Sequence, residues 1–145
     1  MKMIKNSKDL LGSMLKTTQM GQAGLQSVLK KPMDSALRQS IRDQIAAYDH
    51  IEQETRELLD QRAWHVKEAG KLHRAYSSAA IQMKLMGKNR DSGIAAMVIR
   101  GNTRGVIKGM RNLNHYSRQD PPVTALAEQL VDAERTAIAR MQAFL

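Results

Sequence analysis

Asp43–Thr55, DQIAAYDHIEQET, carries two patterns at once. Ile45, Tyr48, Ile51 and Thr55 recur at three- and four-residue spacing, which places them on one face of an α-helix. Asp49, His50, Glu52 and Glu54 crowd the positions between them and form the densest run of metal-ligand residue types in the chain. In one recurrent arrangement of metal-binding helix bundles a helix contributes a Glu-x-x-His pair, with both side chains on one face. That pair is missing here: Thr55 follows Glu52 at that spacing, and Gln53 follows His50. The stretch predicts a long amphipathic helix without the motif that would make it a metal centre.

The apolar face extends upstream to Leu37 and Ile41 and downstream to Leu58, giving a helix over 36–63 capped by Asp34 or Ser35. A first helix is predicted over 8–31. Asn6 or Ser7 is its N-cap, and Asp9 lies in the first turn where the helix dipole favours an acid. Its face is Leu11, Met14 or Leu15, Thr18, Leu25 and Val28, and Pro32 stops it. Towards the C-terminus, Asp91 or Ser92 caps a helix over 92–116 whose face reads Ile99, Thr103, Val106, Met110 and Leu113. Pro121 and Pro122 open the last helix, 123–145, with Leu126, Leu130, Ala133, Ala137, Met141 and Phe144 facing inward. The connection 64–91 is long. Gly70 and Gly87 bracket a short helix over 72–86, with Ile81, Leu85 and Met86 available for packing. Trp64 and His65 read as a packed loop anchor. Gly101, Gly105 and Gly109 share one helix face, which points to close packing on a neighbouring helix or, as the sharper reading, to contact with another subunit.

The chain has 145 residues and reads as one all-α domain, 1–145. It has no cysteine, which excludes disulfides and thiolate metal sites. No apolar run approaches the roughly 20 residues that span a bilayer. The opening MKMIKNSKDLLGSM lacks the apolar core of a signal peptide, so the expectation is a cytoplasmic protein without a membrane partner. The net charge of +9 is unevenly placed. Residues 1–31 carry +5, 32–69 carry −3, 70–118 carry +9 and 119–145 carry −2. Basic and acidic segments therefore alternate along the chain.

Sliding the sequence by 85 residues aligns the first two long helices with the last two: Met14 falls on Ile99, Thr18 on Thr103, Leu25 on Met110, Ile41 on Leu126 and Asp49 on Glu134. Two hairpins, 8–63 and 92–145, joined by the crossover 64–91, imply a four-helix bundle. KTTQMGQAGL (16–25), DQIAAYDHIEQE (43–54), QRAW (61–64) and IRGNTRGVIKGM (99–110) carry a resemblance to the ferritin-like superfamily. The chain is similar to its small bacterial members and, more distantly, to spore-coat members. The resemblance implies an up-down-down-up four-helix bundle with a long crossover, and it brings with it a spore-associated setting as an extension of the cytoplasmic one.

A two-metal site needs carboxylates from all four helices. The first helix of each hairpin offers only Asp9 and Asp91, both at helix tips. Mid-helix, the aligned pair Thr18 and Thr103 is neutral, and Ala137 stands where Glu134 would need its histidine. Asp49, Glu52 and Glu134 remain as weak metal candidates, set against the reading that they pair with lysines and arginines of neighbouring helices. No cofactor is expected. No nucleophile–base pair and no phosphate loop stands out. Lys84, Lys88, Arg90, Arg100, Arg104, Lys108, Arg111 and Arg118 are candidates for a polyanion-binding surface. The opposing reading is a solvated face neutralised by the acidic second helix or by another subunit. Three functions stay open: a non-enzymatic bundle with a structural or protein-interaction role, acting as a homo-oligomer or with another protein; nucleic-acid or polyanion binding through the 84–118 surface; and an atypical carboxylate metal site.

Overall fold

The computed structural model describes residues 6–69 and 90–145. Among these residues the regular structure is entirely helical, without a strand. Helix α1 spans Ser7–Leu29, α2 Ser35–Gln61, α3 Arg90–His115 and α4 Pro121–Met141, and a 3-10 turn follows at Gln142–Phe144. Each predicted long helix is present. The short helix expected over 72–86 lies outside the described residues. No described helix is long and apolar enough to cross a membrane.

The helix ends follow from local chemistry. Of the two candidates at the first N-cap, Asn6 holds the position: its side-chain oxygen accepts from the Asp9 N–H at 2.8 Å. Asp34 caps α2 by accepting from the N–H groups of Ala36 at 2.9 Å and Leu37 at 3.3 Å. At the other end of α2, Ala63 takes the left-handed conformation with φ 52°. The Trp64 N–H then returns to the Leu59 carbonyl and the Ala63 N–H to the Asp60 carbonyl, the pairing that closes a helix in a Schellman turn. This turn sets Trp64 against the core, with the Arg62 guanidinium 5.3 Å from the centre of its ring. Helix α3 already includes Arg90, the first described residue after the connection, so neither Asp91 nor Ser92 is its cap, and Asp91 instead accepts from the backbone N–H of Asp34 at 3.3 Å. Pro121 and Pro122 form the first turn of α4.

The helices pack as α1 on α2, α3 on α4 and α2 on α4, whereas α1 and α3 meet at only a few points. Those points run in reversed order: Ser7 meets Tyr116, Ser13 meets Asn112 and Thr17 meets Lys108. The core of α2 is Leu37, Ile41, Gln44, Tyr48, Ile51, Thr55 and Leu59, close to the predicted face, with Ile45 and Leu58 half-buried beside it. In α4 the buried set includes Leu126, Leu130, Ala137 and Met141 as expected, joined by Val123, Ala127, Val131 and Glu134.

Helix α3 departs from its predicted face. Ile94, Ala95, Val98, Asn102 and Leu113 are buried, while Thr103 is exposed and Met110 keeps 42 % of its surface in solvent. At Val98 and Asn102 the buried face lies one residue from the predicted Ile99 and Thr103, about 100° around the axis, while Ile99 and Val106 stay half-buried against the core and Leu113 is buried as predicted. The Thr18–Thr103 equivalence fails with it. Thr18 is fully buried and donates to the Met14 and Leu15 carbonyls, whereas Thr103 bonds the Ile99 carbonyl from the solvent side. Asp49 and Glu134, aligned by the same offset, also differ: the first is exposed and the second buried.

Candidate functional site

Where α1 and α3 stand apart, a groove of about 400 Å³ opens along the bundle. Its walls are apolar, from Leu25 and Val28 of α1 and Met97 and Val98 of α3, and its floor is polar. The floor is built by residues one helix turn apart on α2 and by one residue from each helix of the second hairpin. Gln44 and Tyr48 lie on the inner face of α2, Asn102 on that of α3, and Glu134 on that of α4. The Gln44 side-chain amide donates to Asn102 Oδ1 at 2.7 Å, and Asn102 donates to its own helix at the Val98 carbonyl at 2.9 Å. The Tyr48 hydroxyl donates to Glu134 Oε2 at 3.2 Å.

Glu134 is the charged residue of this floor and is only 2 % exposed. Its Oε1 has no hydrogen-bond partner among the described residues. Burial pushes its pKa up from 4.5 to about 7; the Tyr48 hydrogen bond and the Lys108 charge act against that rise. The Tyr48 phenol is pushed up as well, first by burial and then by the neighbouring Glu134 charge. Lys108 reaches along the gap between α1 and α3 and donates to Thr17 Oγ1 at 3.3 Å. Burial of its stem lowers its pKa, with Glu134 acting in the opposite direction and Lys16 in the same one.

Two glycines make the floor possible. A Cβ at Gly105 would overlap the Glu134 carboxylate, and a Cβ at Gly21 would lie 2.6 Å from the Tyr48 ring. Close approach thus accounts for Gly105 and likewise for Gly109, where a Cβ would lie 2.6 Å from Val131. It does not account for Gly101, which has open space on its Cβ side. Of the predicted glycine face, two members contact a neighbouring helix and the third opens on the groove.

The sequence-predicted candidates separate. Asp49 is exposed. Glu52 is half-buried, accepts from Gln22 of α1 at 2.7 Å and pairs with Arg56 at 2.9 Å. Glu134 lies in the core with Tyr48. No group of three or more His, Cys, Asp or Glu positioned to hold a metal ion occurs among the described residues. Lys84 and Lys88 lie outside the described residues. Arg118 pairs with Glu128 at 3.1 Å, and Arg90 is exposed at the start of α3. Arg100, Arg104 and Lys108 line the rim of the groove, and Arg111 continues their line along the exposed side of α3.

No acid of α2 forms an ion pair with these four within 4.0 Å among the described residues. Three acids of α2 are paired elsewhere: Asp43 with Arg140 at 3.6 Å, Glu52 with Arg56 and Glu54 with His50 at 3.1 Å. Among the described residues no ion pair joins Arg100, Arg104, Lys108 or Arg111 to an acid within 4.0 Å. Sequence reasoning missed Gln44, Asn102 and the role of Tyr48. The signal available was a Gln and a Tyr four residues apart on an otherwise apolar face.

No protein-family model, no curated protein and no solved structure matches the chain.

Proposed function

We propose that the protein is a non-enzymatic helical bundle that binds a polyanion of the nucleic-acid class along the exposed side of α3. The observation that carries this reading is the row Arg100, Arg104, Lys108 and Arg111, recurring at three- and four-residue spacing with no ion pair to an acid within 4.0 Å among the described residues. Between Arg100 and Arg111 such a row covers roughly 16 Å of helix at 1.5 Å per residue. Cations at that spacing match a phosphate backbone, and their neutralisation of phosphates would release condensed counterions. Aromatic residues are scarce there, so the contact is with backbone phosphates and not with stacked bases. The cytoplasm is the compartment that goes with this partner. The helix contacts agree with an up-down-down-up order. Asp34 lies by Asp91 at one end, Arg62 by Asp120 at the other, and α1 meets α3 in reversed order. That order is the one the ferritin-like resemblance implies.

The test is a titration of labelled duplex DNA with the purified protein over a series of salt concentrations. Binding that weakens with salt at a logarithmic slope of about −3 to −4 is expected for four phosphate contacts, at about −0.9 each. The variant Arg100→Gln/Arg104→Gln/Lys108→Gln/Arg111→Gln should lose most of that slope. Absence of binding at low salt, or a slope unchanged in the variant, would sink the reading.

A second reading, a structural role through self-association, draws on the exposed apolar side chains Met20, Ile107 and Met110, each more than 40 % exposed. Sedimentation of wild type against Ile107→Glu/Met110→Glu addresses it: a monomer in both would set it aside.

A further inference from the structure

We propose that the groove between α1 and α3 is a binding site for a small organic acid with an apolar body, whose acid group meets the basic rim and whose other end carries a hydroxyl for Glu134.

The groove has the size and make-up of a small-ligand site, with apolar walls and a few converging polar groups. Its openness has a specific origin. A Cβ at Gly24 of α1 or Gly101 of α3 would meet no heavy atom within 4 Å. Glycine weakens a helix interior, and at Gly21 and Gly105 close packing of Tyr48 and Glu134 explains its presence. At Gly24 and Gly101 nothing inside the described molecule does, and both line the groove.

The independent observation is Glu134. This side chain is buried, borders the groove, and leaves Oε1 without a partner, while Oε2 takes the Tyr48 hydroxyl. A buried carboxyl oxygen ordinarily has a hydrogen-bond partner. A ligand hydroxyl satisfies it in either protonation state, donating to the carboxylate or accepting from the acid. An ammonium group would satisfy only the carboxylate. It would also have to approach past Arg100, Arg104 and Lys108, which make the groove net positive even with Glu134 ionised. The same three cations set the opposite end of the ligand. Arginine presents paired N–H donors in the geometry of a carboxylate, and these arginines have no acidic partner within the described residues. Arg100 and Gly105, the residue against Glu134, lie about 7.5 Å apart along the helix, which fits a chain of about six to eight carbons between acid and hydroxyl.

This site is separate from the polyanion reading in what it requires. It needs the groove to be open and needs Glu134, whereas a phosphate backbone needs only the outer cations. The experiment is isothermal titration of the full chain at pH 7 with 8-hydroxyoctanoate, octanoate, octan-1-ol and octylamine. The hydroxy acid should bind about tenfold tighter than octanoate, the worth of one hydrogen bond to a charged or buried partner. Octan-1-ol should bind more weakly for lack of the acid, and octylamine should not bind. Gly24→Leu and Gly101→Leu each add bulk to the groove lining at a position where a Cβ meets no heavy atom within 4 Å, and neither removes a charge. Either should abolish binding of the hydroxy acid while leaving the affinity for DNA unchanged; circular dichroism selects the variant that retains its helices. Equal affinity for octanoate and its hydroxylated form, binding that survives the folded leucine variant, or no binding to wild type would each overturn the proposal. Absence of DNA binding by the wild type, with the hydroxy acid still bound, would overturn only the polyanion reading.

Discussion

Glu134 is a carboxyl group whose surroundings hold it near half-protonation at neutral pH, with a pKa pushed from 4.5 to about 7 by burial. The groups facing it are Tyr48 from α2, which donates a hydrogen bond, and Lys108 from α3, itself influenced by Lys16 of α1. The raised value means that the folded chain holds this proton more tightly than the unfolded chain. The resulting stability is fully present below the unfolded pKa of 4.5 and is lost as pH rises through about 7. A shift of this size corresponds to on the order of 3 kcal/mol between the two limits. Glu134→Gln removes the titration and keeps the shape. Denaturant unfolding at about pH 5 and about pH 8 should show wild type losing stability with rising pH and the glutamine variant losing much less. Parallel pH profiles for the two proteins would show that Glu134 does not titrate between them.

At the scale of the element, α3 carries three glycines on one face that serve different purposes. Gly105 yields space to Glu134 and Gly109 to Val131, whereas Gly101 faces open space. Gly101→Ala should therefore stabilise the protein by about 0.5–1 kcal/mol, the helix-propensity gain with no steric term. Gly105→Ala brings the same gain but must displace the Glu134 carboxylate from Tyr48. Overpacking of that kind costs about 1–3 kcal/mol, so the net change should be destabilising. Thermal unfolding of the two variants side by side checks the sign at each position. If both stabilise, Glu134 has another position available to it and the floor of the groove is not rigid.

For the whole molecule, the two hairpins are tied at one end by Arg62 and Asp120. Both side chains are less than a third exposed, and Arg62 Nη2 donates to Asp120 Oδ1 at 2.7 Å. The second Arg62 nitrogen bonds the other carboxylate oxygen, making the pair bidentate, and the same guanidinium lies over Trp64. Asp120 caps α4 by position without a side-chain capping bond, so its carboxylate is committed to the tie. Asp120→Ala leaves a partly buried guanidinium unpaired and should cost about 1–3 kcal/mol. A double-mutant cycle with Arg62→Ala should return a coupling of about 1–2 kcal/mol. Additive single effects would mean that the ends are held by packing alone.

By itself the sequence determined the four long helices, most of their ends and the buried faces of α2 and α4. These are local matters. A capping side chain such as Asn6 or Asp34 acts within three residues, a proline stops or opens a helix where it stands, and apolar side chains such as Leu37, Ile41, Tyr48 and Ile51 mark a face without reference to any neighbour. What lay beyond local reach was decided by tertiary structure. Helix α3 offers two faces one residue apart. Ile99, Val106 and Met110 make one as apolar as the face of Ile94, Ala95 and Val98 that the fold buries, because glycines leave both sparsely marked. Which of them turns inward depends on α2 and α4, where Gln44 meets Asn102 and Val131 fits against Gly109. Glu134 reads in sequence as one acid among several. Its burial, its unpaired oxygen and its raised pKa follow from a tyrosine 86 positions earlier and a glycine on a third helix, and burial of charge is a property of an assembled environment, not of a residue type.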